Sequence, residues 1–449
     1  MRRGRRLSGI EARVVGDRNR RRLAGALPFY YGWVVLAATA LSGYTSRPLM
    51  AATTLSVFVV PMTEHFGWSR GFFSGALSLG GLCAVAISPV VGKLIDRYGS
   101  GVVLAVTAAV IGACAVGLSL VSHAWAFYSL YVPGRALFAI PLELGTATAV
   151  SNWFVRRRPL ALAVLGVTQG TGLAAMPLIV QAIIGGWSWR VAWASMGLFT
   201  ISIAVLPSLL LIARRPEDMG LEVDPRPARA VLPAGSPSGR TAATGVVPAE
   251  ADFTVREALH TRAFWFLAAF AFAAFVVQGG VILHQVPHFI NQGLSAPAAA
   301  LTSGTFALSQ VLGGLVWSVW ARRVPIRFLL SLTGFSVTLG AMGTAASGSL
   351  GWGMAAATAL GIGMGGVHLL LRLAWADYYG RTNLGSIRGL TLPMQVAGQT
   401  FGPITSGFIF DATGTYQWAF FGFGSVASLG ALIVLAAAPP RKPAAPSEA

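Results

Sequence analysis

Lysine is almost absent from this chain of 449 residues: Lys93 and Lys442 are the only two. Acidic residues are scarce too, 15 against 33 basic ones, and charged residues together make up 11%. A soluble domain carries roughly 25% charged side chains, so a globular surface facing water on all sides is excluded. The two cysteines, Cys83 and Cys114, supply neither a disulfide framework nor a metal-ligand spacing. Both lie in apolar runs, where a thiol serves as a small packing residue. No G-x-x-x-x-G-K-[ST] loop is present to cradle nucleotide phosphates, which argues against an ATP-driven pump. No H-E-x-x-H pair is present to hold a catalytic zinc. The sequence therefore implies no cofactor, no metal and no enzymatic chemistry.

What remains is apolar. Hydrophobic residues make up 55% of the chain, gathered into twelve long runs near 31–60, 72–92, 101–121, 124–150, 161–184, 190–212, 263–286, 297–320, 328–346, 350–376, 385–410 and 416–438. About 20 apolar residues at 1.5 Å each cross ~30 Å of hydrocarbon, so these runs read as transmembrane helices. Arginine occupies alternate connections. Nine precede the first run, Arg156, Arg157 and Arg158 follow the fourth, Arg322, Arg323 and Arg327 follow the eighth, and Arg381 follows the tenth. The opposite loops hold Arg70 and Arg190. Positive charge marks the cytoplasmic side, which predicts both termini there. The formal charge of +18 follows these loops and the basic arm, so contact with anionic lipid is expected and nucleic acid is not. The run from Tyr31 to Val60 is too long for a signal-peptide core and reads as an uncleaved first span.

The expected organisation is a basic arm at 1–30, six spans over 31–212, a linker at 213–262, six spans over 263–438 and a tail at 439–449. The linker is rich in Pro, Gly and Ser and lacks helical periodicity before about Phe253, a composition that buries too little surface to order itself. The two halves repeat. At an offset of 226, Pro61, Gly67, Ser69 and Arg97 fall on Pro287, Gly293, Ser295 and Arg323; at 225, Asn152, Trp153, Phe154 and Arg156 fall on Asp377, Tyr378, Tyr379 and Arg381. A six-span repeat in one orientation places two pseudo-symmetric halves side by side. Small residues recur within the spans, such as Gly361, Gly363, Gly365 and Gly366. In lipid, helices associate through close backbone approach at such residues.

The segment GKLIDRYG, Gly92 to Gly99, resembles the loop signature between spans 2 and 3 of major-facilitator transporters. Its glycines permit a tight turn, and Asp96 and Arg97 put opposite charges at the membrane surface. The resemblance implies that Asp96 braces the start of span 11 near Leu384 to Ser386, where a helix N-terminus favours an anion. A narrower resemblance runs through Tyr31-Gly32-Trp33, GWSR at 67–70, NWFVRRR at 152–158, GWSWR at 186–190, RRPEDMGL at 214–221, ADYYGRTNLGSIRGL and GPITSGFIFDATGTY. Together these are similar to the bacterial monocarboxylate-transporter-like and oxalate/formate antiporter group. That group often carries a substrate-facing arginine in span 8. Here LSQVLGGLVWSVW has Gln310 and no charge, so that role is not transferred.

Charge at bilayer depth costs at least ~2.5–3.5 kcal/mol and marks a cavity or a partner. Arg47 lies 16 residues beyond Tyr31, roughly 24 Å along the helix, with Pro48 beside it. Arg135 and Glu143 share span 4, and His368 and Arg372 share one face of span 10 at i and i+4. The resemblance implies that spans 1, 4, 7 and 10 line the cavity. The expected site is therefore Arg47, Arg135, His368 and Arg372 for substrate, with Glu143 carrying a proton or neutralising Arg135 when empty. Gly92, Asp96, Arg97, Gly99 and Arg388 are expected to gate it. His284 and His288 flank Pro287 and read as interfacial. The implied protein is a monomeric secondary carrier in a bacterial inner membrane. It would move a small organic anion with a proton or a counter-anion. A lipophilic-compound exporter and a non-transporting sensor stay open. Span 5, GVTQGTGLAAMPLIV, lacks the glycine-proline signature of many exporters, and no large output domain is attached.

Overall fold

The computed structural model describes residues 20–154, 157–223, 253–321, 323–380 and 384–440, apart from the side chains of a few helix residues among them. The described residues form helices and no strands. Span 1 is Gly32–Leu49 continued by Ala52–Phe66, and span 4 is Ala124–Ala139 continued by Pro141–Trp153. The other spans are 2 (Arg70–Tyr98), 3 (Ser100–Ser119), 5 (Arg158–Gly186), 6 (Trp189–Leu211), 7 (Arg262–Asn291), 8 (Ala296–Trp320), 9 (Ile326–Ala346), 10 (Leu350–Tyr379), 11 (Leu384–Thr413) and 12 (Gln417–Ile433). Ten are long and apolar enough to cross a membrane by length and composition alone. The remaining two are span 4, split into short helices, and span 11, whose apolar run is diluted by Thr391, Gln395, Gln399 and Thr400.

Packing repeats at an offset of six spans. Span 1 lies on 5, 2 on 4 and 3 on 6; likewise 7 lies on 11, 8 on 10 and 9 on 12. Across the halves, span 2 packs on 11 and span 5 on 8, which are the same contact seen from each side, and span 1 meets span 7. Glycines set the closest approaches. A Cβ on Gly365 would lie 2.2 Å from the Gln310 carbonyl oxygen, and one on Gly361 2.5 Å from that of Phe306. Span 10 can therefore lie this close to span 8 only where it carries no side chain.

The face carrying Tyr31 and Phe154 is called the base, and the opposite face the roof. The roof is sealed between the halves. The Asp411 carboxylate of span 11 accepts the Arg70 and Gly71 backbone N–H groups, each at 3.1 Å. Ser74 Oγ lies 2.9 Å from His284 Nε2, and Ser78 Oγ donates to the Thr400 carbonyl at 3.0 Å. Leu55, Phe58 and Met62 share one apolar cluster with Leu283, Val286 and Phe289. His284 and His288 are thus buried, not interfacial as their position beside Pro287 suggested. His288 reaches the Thr344 carbonyl at 2.8 Å, and the His284 ring stacks on Tyr416. At the base each half is tied to itself: Trp153 Nε1 donates to the Ala213 carbonyl, and Tyr378 Oη to that of Ala437.

Candidate functional site

Two breaks at mid-depth build the site. Pro48 has no N–H to donate, so the Tyr44 carbonyl loses its helical partner. The first helix of span 1 stops at Leu49, and Ala51 is extended. The freed Met50 carbonyl accepts from Arg135 Nη1 at 3.0 Å, with the Tyr131 hydroxyl at 3.4 Å. In span 4 the first helix ends at Ala139, Ile140 has a φ of −115° with ψ −56°, and Pro141 opens a new helix. Glu143 consequently sits in a first turn, where the helix dipole favours an anion. A continuous span 4 would have set Arg135 and Glu143 on different faces by rotation alone.

Arg47 Nη1 donates to Glu143 Oε2 at 2.7 Å and to Gln169 Oε1 of span 5 at 2.8 Å. Arg47, not Arg135, is therefore the cation that Glu143 neutralises, correcting the pairing expected within span 4. Gln169 fits because Gly43 has no side chain: a Cβ there would lie 2.4 Å from Gln169 Nε2. The Arg47 and Glu143 side chains are 27% and 48% exposed. They are deep in the bundle beneath a sealed roof, so this exposure is toward the base. Arg135 holds span 1 together at its break. Its guanidinium bonds Met50, lies 4.4 Å from the centre of the Phe138 ring, and has no carboxylate partner among the described residues. Leaving the Met50 carbonyl unpaired would cost about 1–3 kcal/mol.

The facing half supplies amides. Gln399 Nε2 donates to Gln278 Oε1 at 3.3 Å, and Gln278 Nε2 lies 3.2 Å from His368 Nε2. With the Gln278 oxygen occupied, its amide N–H points at His368 Nε2, which acts as acceptor and leaves the ring proton on Nδ1. Phe275 packs edge-on against the imidazole. One turn away, Arg372 is exposed and makes no hydrogen bond or ion pair among the described residues. Glu143 interacts electrostatically with Arg47, Arg372 and His368, and Arg135 with Arg47. The five residues expected from sequence thus converge from spans 1, 4 and 10.

The gating set is only partly described. Arg97 is exposed over the Tyr98 ring, and Gly99 adopts φ +85° at the turn into span 3, a conformation that favours glycine. Gly92 and the side chains of Asp96 and Arg388 are not described beyond their helical backbone, and neither are the side chains of Leu384 to Ser386, which were expected to meet Asp96. Sequence reasoning missed Gln169, Gln278 and Gln399. Their signal was available: an amide inside an apolar span must find a partner or line a cavity.

The Major Facilitator Superfamily matches residues 40–396 and 286–449. Human monocarboxylate transporter 11 is 28% identical over 426 residues, covering 90% of this chain and 82% of that protein. Mouse monocarboxylate transporter 2 is 23% identical over 431 residues, covering 88% and 81%. Among solved structures, a mutant of the nucleoside transporter NupG superposes with TM-score 0.70 at 12% identity, covering 90% of this chain and 99% of that one. A bacterial homolog of the human lysosomal transporter Spinster, inward-facing and unoccupied, gives 0.64 at 16% identity, covering 91% and 94%. Twelve spans in two repeated halves, with family and relatives agreeing along nearly the whole length, place the chain as a multi-pass membrane transporter and not an enzyme: it belongs to the Major Facilitator Superfamily, in its monocarboxylate-transporter-like group.

Proposed function

We propose that this protein is a secondary carrier of small organic anions, coupled to a proton through Glu143 and working by alternating access. The observation that carries the reading is the Arg47–Glu143 pair of one half, in electrostatic reach of Arg372 of the other, which makes no hydrogen bond or ion pair among the described residues. A carboxylate is the ligand that guanidinia recognise best, through two directed bonds. While Glu143 is ionised it holds Arg47. A proton on Glu143 removes that competitor and leaves Arg47 free for the substrate. Substrate and proton are then favoured together, which is the linkage a symporter needs. The monocarboxylate-transporter relatives support an organic-anion substrate. A lipophilic exporter would gain nothing from the guanidinia of Arg47 and Arg372, each costly to desolvate.

The test is uptake of labelled lactate, pyruvate, oxalate and formate by purified protein in liposomes, with and without an inward proton gradient. Gradient-stimulated uptake of at least one acid is expected. A flat response to the whole panel, with a lipophilic cation moving instead, would overturn the reading.

The arginine distribution favours an orientation with the base toward the cytoplasm and contact with anionic lipid; the protein is read as a monomer of a bacterial cytoplasmic membrane. In a variant without Cys83 and Cys114, cysteines introduced by S122C and S236C should then react from opposite sides. Labelling of both by an impermeant reagent outside intact cells contradicts that orientation.

A further inference from the structure

Spans 2 and 11 end on the same eight-residue pattern. GKLIDRYG at 92–99 closes span 2 at the base, and GFIFDATG at 407–414 closes span 11 at the roof, each with Gly first, Asp fifth and Gly last. The closing turns match as well. Gly99 has φ +85° and Gly414 φ +73°, and each donates its N–H at 2.8 Å to the carbonyl four residues back, Ile95 in one and Phe410 in the other. In the roof copy the aspartate meets the other half. The Asp411 carboxylate accepts the Arg70 and Gly71 N–H groups, each at 3.1 Å. These are the first two donors of span 2, without acceptors in their own helix, at the end of a dipole that favours an anion. Two glycines make room: a Cβ on Gly71 would lie 2.9 Å from Asp411 Oδ2, and one on Gly407 2.9 Å from Gly71 Cα. The Arg70 guanidinium turns aside, 5.4 Å from the centre of the Phe410 ring, and makes no ion pair among the described residues. We infer that Asp411 is an outer latch, which holds the roof shut by capping span 2 and lets go when the halves part there.

The strength of the contact suits a latch that must release. Asp411 is exposed, so water replaces the two N–H groups once the roof opens, and a carboxylate at an exposed helix end shifts a balance by a modest factor. A buried ion pair at the same place would resist release far more. Because its partners belong to opposite halves, the contact exists only in the roof-closed state, and a contact made in one state alone biases the balance by its whole strength. The Ser74–His284 and Ser78–Thr400 contacts cross the same seam. Removing the Asp411 carboxylate therefore loosens the roof without dismantling it.

The experiment reads access without substrate, so neither result bears on the organic-anion reading. In full-length protein in detergent, with Cys83 and Cys114 replaced, Ser78→Cys puts a reporter where the side chain is 3% exposed between spans 2 and 11. Asp411→Ala should raise the rate of its reaction with a soluble maleimide by about three- to tenfold. Asp411→Asn should raise it less, since the amide keeps one acceptor oxygen. Gly71→Ala should open the roof by a similar factor, because the added Cβ meets Asp411 Oδ2 at 2.9 Å and otherwise only Ser69 Oγ at 3.7 Å. Alanine is the better helix former, so this rise does not come from a weakened span 2. With Asp411→Ala already present, Gly71→Ala should change nothing further. A rate unchanged by Asp411→Ala in folded protein overturns the latch, and so does a Gly71→Ala effect as large without the carboxylate as with it. Should Asp411→Ala fail to fold, Gly71→Ala decides alone: a faster reaction supports the latch, and an unchanged one overturns it.

Discussion

Arg47→Ala is expected to abolish organic-acid uptake, and Arg47→Lys to reduce it by roughly ten- to a hundredfold, the loss of one or two charge-assisted bonds. The reason is local. One guanidinium nitrogen of Arg47 serves both the Glu143 carboxylate and the Gln169 amide. Its planar fork has further donors for a substrate carboxylate. A lysine ammonium at the same place is a point charge that can hold Glu143 or the substrate, with little directional preference. The alanine variant also leaves the half-exposed Glu143 without its cation, which lowers stability by less than the loss of a fully buried pair would. Protein level therefore has to be separated from function. The double variant Arg47→Ala, Glu143→Ala removes the orphaned charge, so it should restore level in the membrane without restoring uptake. Wild-type transport by either alanine variant would mean that Arg47 does not contact the substrate.

The parts of this molecule visible in its sequence are those that a membrane imposes directly. Span lengths follow from the thickness of hydrocarbon, and the expected boundaries lie within about six residues of the helix ends, as at 350–376 against Leu350–Tyr379 and 72–92 against Arg70–Tyr98. The five ionisable residues stood out because charge at depth is expensive, and they interact electrostatically, Glu143 with Arg47, Arg372 and His368, and Arg135 with Arg47. Pairing was not visible. It depends on where a helix stops, and Pro141 permits either a kink or a clean restart. The restart at Pro141 puts Glu143 in a first turn, aimed at Arg47. A rotation angle taken along an unbroken helix could not give that. Arg135 was ambiguous for a related reason: its partner is a backbone carbonyl that exists as a free acceptor only because span 1 breaks at Met50. The histidines of span 7 lie near a span end and yet away from water, because span 2 and Tyr416 cover His284. The glutamines carry no charge and so give a weaker signal in an apolar run, although Gly43 leaves room for one of them.

Glu143→Gln should separate exchange from coupling. The amide keeps the size of the carboxyl group and cannot ionise, so it fixes the site in the state proposed for protonated Glu143. Arg47 then loses its competing anion and stays available to substrate at every pH. Exchange of labelled for unlabelled acid across a liposome membrane should persist, within about threefold of the wild-type rate, because it needs only repeated loading of the site. Uptake driven by an imposed proton gradient should fall to the level seen without a gradient. The pH profile gives the sign. In the wild type, binding strengthens as pH falls, because protonating Glu143 frees Arg47; in the variant that slope is gone. Wild-type gradient dependence in Glu143→Gln would place the coupling proton elsewhere, and the site would then be read as an anion exchanger. Loss of exchange together with coupling, in protein that remains folded, would instead mean that Glu143 is needed to position Arg47. The 2.7 Å contact between them is the interaction that decides which of these holds.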